Sequence, residues 1–116
     1  AVPAAESKPM SKDELLKTGA DVYLRVCAVC HKADGTGMPP VFPALKTSPV
    51  VAGPAAAHIS KVVHGVPGTA MQAFGAQLSD TDLAAVITYE RSEWHPDATD
   101  AVVQPADIAK ARTEAK

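Results

Sequence analysis

The residues Cys27-Ala28-Val29-Cys30-His31 place two thiols three positions apart and an imidazole directly after the second. At that spacing the two sulfurs can reach vinyl groups on neighbouring rings of one haem and form thioethers, while His31 swings under the iron. Cys-x-x-Cys-His is the attachment signature of a c-type haem. Other chemistries fit the pair less well. A thioredoxin-like pair would follow a strand, whereas the residues before Cys27 read as a helix. Zinc wants four ligands, and with only two cysteines in the chain it would have to recruit distant histidines. A disulfide across two intervening residues closes almost no loop. One covalent haem c is the expected cofactor, held by Cys27, Cys30 and His31.

Composition agrees with a bound apolar group. Of the 116 residues 47% are hydrophobic but only 4% are aromatic, and much of the apolar share is alanine and valine. Such side chains build a thin core, which a flat apolar cofactor would thicken. The length fits one domain. A formal net charge of -2 gives no reason to expect a nucleic-acid partner. No run approaches the roughly 20 apolar residues of a membrane span, so the chain is expected to be soluble. Residues 1–10 lack the charged and apolar regions of a signal peptide. Haem is joined to this motif outside the bacterial cytoplasm. The expectation is therefore a mature chain, or a domain of a larger exported protein, in the periplasm or on the outer face of the cytoplasmic membrane.

The elements that must position the motif can be read in order. Residues 1–10 look like a tail or linker. Ser11 and Glu14 form a capping-box pattern, and Leu15, Val22 and Val26, with Gly19 and Tyr23 between them, give one packed face that runs into Cys27. Gly19 inside a helix costs about 1 kcal/mol relative to alanine, which implies the close approach of another helix. Residues 32–53 are dense in glycine and proline and read as a loop lying on the cofactor. Pro54 stands at a first helical position, Ala55 to His64 continues as a helix, and Gly65 stops it. A second loop carries Met71. Ser79 and Asp82 resemble a capping box, Leu78 and Leu83 a hydrophobic staple, and the helix they open runs to about Ser92, with Tyr89 or Glu90 at its crossing point. Pro105 could open a short last helix, a docked or frayed tail whose apolar content is chiefly Ile108.

A haem iron held by His31 has a sixth position on its other face. Met10, Met38, Met71, His58, His64 and His95 are the candidates. Met10 lies in the tail, and Met38 follows His31 too closely to leave its side of the ring. His58 and His64 read as surface or helix-end histidines. Met71 has a loop free to turn its thioether inward and is the expected ligand. His/Met ligation raises the potential and leaves no open coordination site, which favours electron transfer over oxygen chemistry.

With these residues in place the chain resembles a class I cytochrome c over residues 11–95. The resemblance implies an all-α fold of three main helices with haem-covering loops, and a tight crossing of the first and last helices that explains Gly19. It also implies that Pro43 of Pro43-Ala44-Leu45 accepts the second ring proton of His31 through its carbonyl, orienting the ligand. Residues 96–116 would be a C-terminal extension. The runs GMPPVFPAL from Gly37, GTAMQAFG from Gly68, AAVITY from Ala84 and VQPAD from Val103 resemble the cytochrome c domain of subunit II of caa3-type oxidases. Glu93-Trp94-His95-Pro96 departs from the Trp-Gly-Asn expected there, and the copper domain and two membrane helices of that subunit are absent from this sequence.

The resemblance implies a one-electron carrier whose partner is a respiratory oxidase or its donor, as or like the electron-input domain of a terminal oxidase. The segments expected at the haem edge, residues 28–29, 38–43 and 65–76, carry almost no charge, so the contact surface is expected to be apolar. The alternative is a ligand-binding or sensor domain with a labile sixth ligand, and a zinc or disulfide module would be colourless.

Overall fold

The first helix begins where the capping residues stand. In the structure, a computed structural model that describes residues 9–37, 44–45, 48–66, 73–96 and 101–114, the Ser11 hydroxyl accepts from the Glu14 amide at 3.1 Å. The Glu14 carboxylate in turn accepts from the Ser11 amide at 3.1 Å. Helix α1 (Lys12–Val22) therefore starts with two of its orphan donors satisfied. It passes without a break through one π-helical stretch, Tyr23–Cys27, into the short helix α2, Ala28–His31. The helix thus delivers the Cys27–His31 motif at its C-terminal end.

Ser48 caps a one-turn helix α3, Pro49–Ala52, that the glycine- and proline-rich composition of this stretch had hidden. Helix α4 spans Ala55–His64; Pro54 is its N-cap, one position earlier than the sequence reading places it, and Gly65 is its C-cap. After a 3₁₀ turn at Phe74–Ala76 comes helix α5, Asp80–Trp94, opened by the Ser79 hydroxyl accepting from the Asp82 amide at 3.1 Å. Helix α6, Pro105–Thr113, has proline in its first turn, as a helix start tolerates. No strand occurs among the described residues, and the fold is all-α.

Helices α1 and α5 cross at Gly19. A β-carbon there would stand 2.1 Å from the Ala85 carbonyl oxygen and 2.7 Å from Cβ of Tyr89. The α5 residues that face Gly19 at the crossing are therefore Ala85 and Tyr89, and not Glu90. On either side of it Leu15, Val22, Leu83 and Ile87 are fully buried, each contributing about 1.5–3 kcal/mol of transfer free energy.

The C-terminal helix is docked. Ile108 and Ala111 are buried, Thr88 of α5 exchanges two hydrogen bonds with the backbone of Val103 at 2.9 and 3.1 Å, and the Gln104 side chain pairs with both backbone groups of Met10. Arg112 reaches back from α6 to the fully buried Asp80 at 2.5 Å, and donates to the carbonyls of Gly75 and of Leu78, the latter at 2.9 Å. A buried carboxylate is tolerable only with such a partner.

Gly19→Ala should lower stability by about 2–4 kcal/mol, because backbone rather than a flexible side chain blocks the new methyl. Urea unfolding of the two proteins measures it, and an unchanged midpoint would show that the helices do not approach this closely.

Candidate haem site

Position 27 is the last of the π-helical stretch, and positions 28–31 form the final helical turn, so the backbone of Cys30 and the residues Cys27 and His31 fall within about one turn. Cys27 and His31 are both half-buried. Val29, between the cysteines, is 80% exposed, and Leu24 one turn earlier is 59% exposed. The motif thus lies at the surface of the domain, with apolar side chains facing outward beside it.

The chain leaves the helix abruptly. Lys32 has φ 65° and ψ 157°, a conformation adopted almost only by glycine and costing on the order of 1–3 kcal/mol in other residues. Its carbonyl accepts from the Tyr23 hydroxyl at 2.6 Å and from the Gly35 amide at 3.1 Å, while the His31 carbonyl accepts from the Gly37 amide at 2.9 Å. Gly35, at φ 74°, lies so close to the Trp94 ring that a β-carbon would come within 2.7 Å of it. Tyr23 itself is fully buried, its ring 5.6 Å from Tyr89 and 5.2 Å from Trp94 between centroids. Both ring pairs are tilted or edge-on, as aromatic quadrupoles prefer.

The donor set fits a covalent haem. Two cysteine positions and an imidazole sit at the accessible end of one helix. Val26, Ala28, Leu45, Phe74 and Leu78 are partly buried apolar side chains at the margin of the core, the chemistry a flat macrocycle needs. Among the described residues no group of three or more His, Cys, Asp or Glu side chains could hold a metal ion. Pro43 and Met71 lie outside the described residues, as does Met38. Leu45 is half-buried against the core, with its carbonyl accepting from the Ser48 amide at 3.1 Å.

The other ligand candidates have definite places. His58 corrects the surface reading: it is 3% exposed and sits between α4 and α5. Its Nδ1 accepts from Arg91 at 3.3 Å, which assigns the proton to Nε2, the atom that donates to the Glu90 carboxylate at 2.9 Å. Arg91 is fully buried and also donates to the Gly53 carbonyl at 2.6 Å. His64 donates from Nε2 to the Ala111 carbonyl at 3.1 Å, tying α4 to α6. His95 is the C-cap of α5, and its buried Nε2 has no hydrogen-bond partner among the described residues. Met10 packs partly against the core, its backbone amide on Gln104.

The Glu90–His58–Arg91 network escaped the sequence reading, although a signal existed. Residues 83, 86, 87, 90 and 91 follow one helical stripe, and the last two are charged. Charges on a core stripe imply buried partners. Nothing in the composition of position 32 announced its backbone.

Burial raises the Tyr23 phenol well above its ordinary value of 10.0, with the Glu90 charge as the next cause. Tyr89 is raised in the same direction, again by burial first. Both rings are neutral in the fold. In the unfolded chain they ionise near their ordinary value, so the stability they lend is complete below about pH 10 and is lost as pH rises beyond it. Urea midpoints should therefore fall between pH 9.5 and 11.5, roughly the span over which a free tyrosine ionises, and a Tyr23→Phe, Tyr89→Phe double variant should flatten that fall.

Comparison with known proteins adds the lineage. Residues 14–89 match the family described as cytochrome c oxidase, cbb3-type, subunit III. The cytochrome c subunit of quinone alcohol dehydrogenase from Gluconobacter oxydans (strain 621H) is 37% identical over 105 residues, which is 82% of this chain and 22% of that protein. Its counterpart from Komagataeibacter europaeus is 34% identical over 104 residues, 81% of this chain and 22% of that protein. The gluconate 2-dehydrogenase cytochrome c subunit of Pantoea cypripedii is 32% identical over 119 residues, 93% of this chain and 27% of that protein. The chain spans about a quarter of the length of these curated relatives.

Proposed function

This chain belongs to the cytochrome c family, a family of haem-based electron transfer, and from that premise we propose that it is a one-haem carrier with Cys27 and Cys30 as thioether anchors and His31 and Met71 as axial ligands. When bound, the haem supplies one-electron redox chemistry at iron. The observation that carries the reading is the delivery of positions 27–31 by one unbroken helix whose end is pinned on both sides of His31. Met71 belongs to the segment that starts beyond the α4 C-cap and ends at the 3₁₀ turn Phe74–Ala76, where Arg112 holds the Gly75 and Leu78 carbonyls. Pro43 would accept the second ring proton of His31. The chain acts in the periplasm or on the outer face of the cytoplasmic membrane.

The donor in this reading is a dehydrogenase that oxidises a hydroxylated small molecule, in keeping with the printed names of the relatives, an alcohol dehydrogenase subunit and a gluconate dehydrogenase subunit. A second reading, the electron-input domain of a terminal oxidase, draws on the oxidase subunit that describes the matched family and on the run GMPPVFPAL from Gly37. Among the described residues no helix is long and apolar enough to cross a membrane.

The oxidised protein should show the weak near-infrared sulfur-to-iron band, and Met71→Ala should abolish it, lower the potential and let the reduced protein bind carbon monoxide. Persistence of the band in that variant would remove Met71 from the site, and carbon monoxide binding by the unaltered protein would favour the labile-ligand alternative.

Docking through Val29 and Leu24 implies weak electrostatic steering. Reduction by a substrate-fed dehydrogenase should slow less than about three-fold between 20 and 200 mM salt, a roughly three-fold change in Debye length. A steep loss of rate would point instead to a charged interface.

A further inference from the structure

Lys32 is the only residue other than glycine with a positive φ among the described residues, and it directly follows His31. Such an outlier persists only where its surroundings determine it more than once. Here they do. Its amide still closes the last helical turn on Ala28 at 2.9 Å, while its carbonyl, turned out of the helical direction, receives Tyr23 and Gly35 together. The phenol reaches it from nine residues upstream because the intervening helix ends in a π-helical stretch and a single α turn. Tyr23 cannot swing away, since Tyr89 and Trp94 hold its ring from α5, and Trp94 also supports Gly35 on the other side of the carbonyl.

We propose that Tyr23 is the positioning residue for His31: its hydroxyl holds the Lys32 carbonyl, fixes the reversal of the chain at Lys32 and thereby sets the direction in which the His31 side chain leaves the backbone. The inference deepens the reading given above and rests on His31 being an iron ligand. A phenylalanine at position 23 would keep the ring contacts with Tyr89 and Trp94 and lose only the hold on the carbonyl. The crossing of α1 on α5, which sets the place of Tyr23, is in this way transmitted to the ligand through one hydrogen bond.

The test compares haem-loaded Tyr23→Phe, Tyr89→Phe, Lys32→Gly and the Tyr23→Phe, Lys32→Gly double variant. The proton NMR shifts of the haem methyl groups in the oxidised protein report the orientation of the axial imidazole. Tyr23→Phe should change their spread, whereas Tyr89→Phe should leave it as in the parent. Glycine accepts the Lys32 conformation without strain, so in the Lys32→Gly background the Tyr23→Phe change should shrink to less than about half. Limited trypsin digestion gives a second readout. Cleavage after Lys32 should be roughly five-fold faster in Tyr23→Phe, the effect of losing one hydrogen bond, with cleavage after Lys17 and Lys61 unaltered. Unchanged methyl shifts in Tyr23→Phe, equal shifts in Tyr89→Phe, or uniformly faster cleavage would each overturn the proposal. His31→Ala retaining the parent haem spectrum would instead overturn the ligand assignment on which it stands.

Discussion

The van der Waals approach of α1 to α5 at Gly19 is the constraint from which the rest of the arrangement follows. Because no side chain separates the helices there, the Ala85 backbone and Tyr89 fit against bare helix, and four residues further along the continuous helix the Tyr23 ring packs against both Tyr89 and Trp94, which also touch each other. A wider crossing would leave that ring without its two neighbours. The rings in turn fix where the helix can end, since Gly35 rests on Trp94 and the Lys32 carbonyl on Tyr23. One steric fact thus reaches, through aromatic packing and a single carbonyl, the residue proposed to hold iron.

A chain with 4% aromatic residues has few large side chains with which to fix helix positions, and it uses buried charge instead. Arg91 lies between α5, α4 and the α3–α4 junction, with His58 and the Gly53 carbonyl as partners. Arg112 joins α6 to the start of α5 and the 3₁₀ turn before it. Each guanidinium is directional in a way that valine and alanine packing is not. Removing Asp80 would break its buried ion pair with Arg112, at a cost of about 3–5 kcal/mol, and removing His58 would leave buried polar groups under-bonded. Such networks contribute little net stability over apolar packing, yet they penalise every alternative docking of the helices. The Arg112 network also holds the 3₁₀ turn, Phe74–Ala76, that follows the Met71 segment in sequence.

The local physics of this fold was largely legible in the sequence, and its tertiary polar chemistry was not. Ser11 with Glu14, Gly65 and Ser79 mark helix ends by satisfying or releasing backbone groups within three or four residues, and each lies at the corresponding end in the structure. Gly19 was legible because a helix-interior glycine has a cost that something must offset. His58 was misread because nothing local distinguishes a histidine facing solvent from one facing Arg91 and Glu90, 33 and 32 residues away in sequence. Lys32 was invisible for a related reason: its backbone is imposed by Tyr23, Gly35 and the last helical turn together. Of the proposed site, positions 27–31 were singled out by spacing alone, whereas the hydrogen bond from the Tyr23 hydroxyl to the Lys32 carbonyl beside them was not foreseen.

The resemblance to an oxidase domain and the relatives from dehydrogenase complexes are less opposed than their names imply. A one-electron carrier needs a haem edge within reach of its partner and a iron environment that moves little between oxidation states. Neither requirement specifies which enzyme stands on the other side. On the proposed reading, the parts of this chain that would serve the second requirement are the buried ones: the α1–α5 crossing, the ring cluster and the two arginine networks. The parts that would meet a partner, Val29 and Leu24, are exposed and bear no charge. Apolar rim contacts discriminate weakly between partners, because they lack the like-charge juxtapositions that reject a wrong one. On the proposed reading, two uncharged side chains would leave partner choice to groups outside this patch, and the same cytochrome architecture would suit either a dehydrogenase or an oxidase setting.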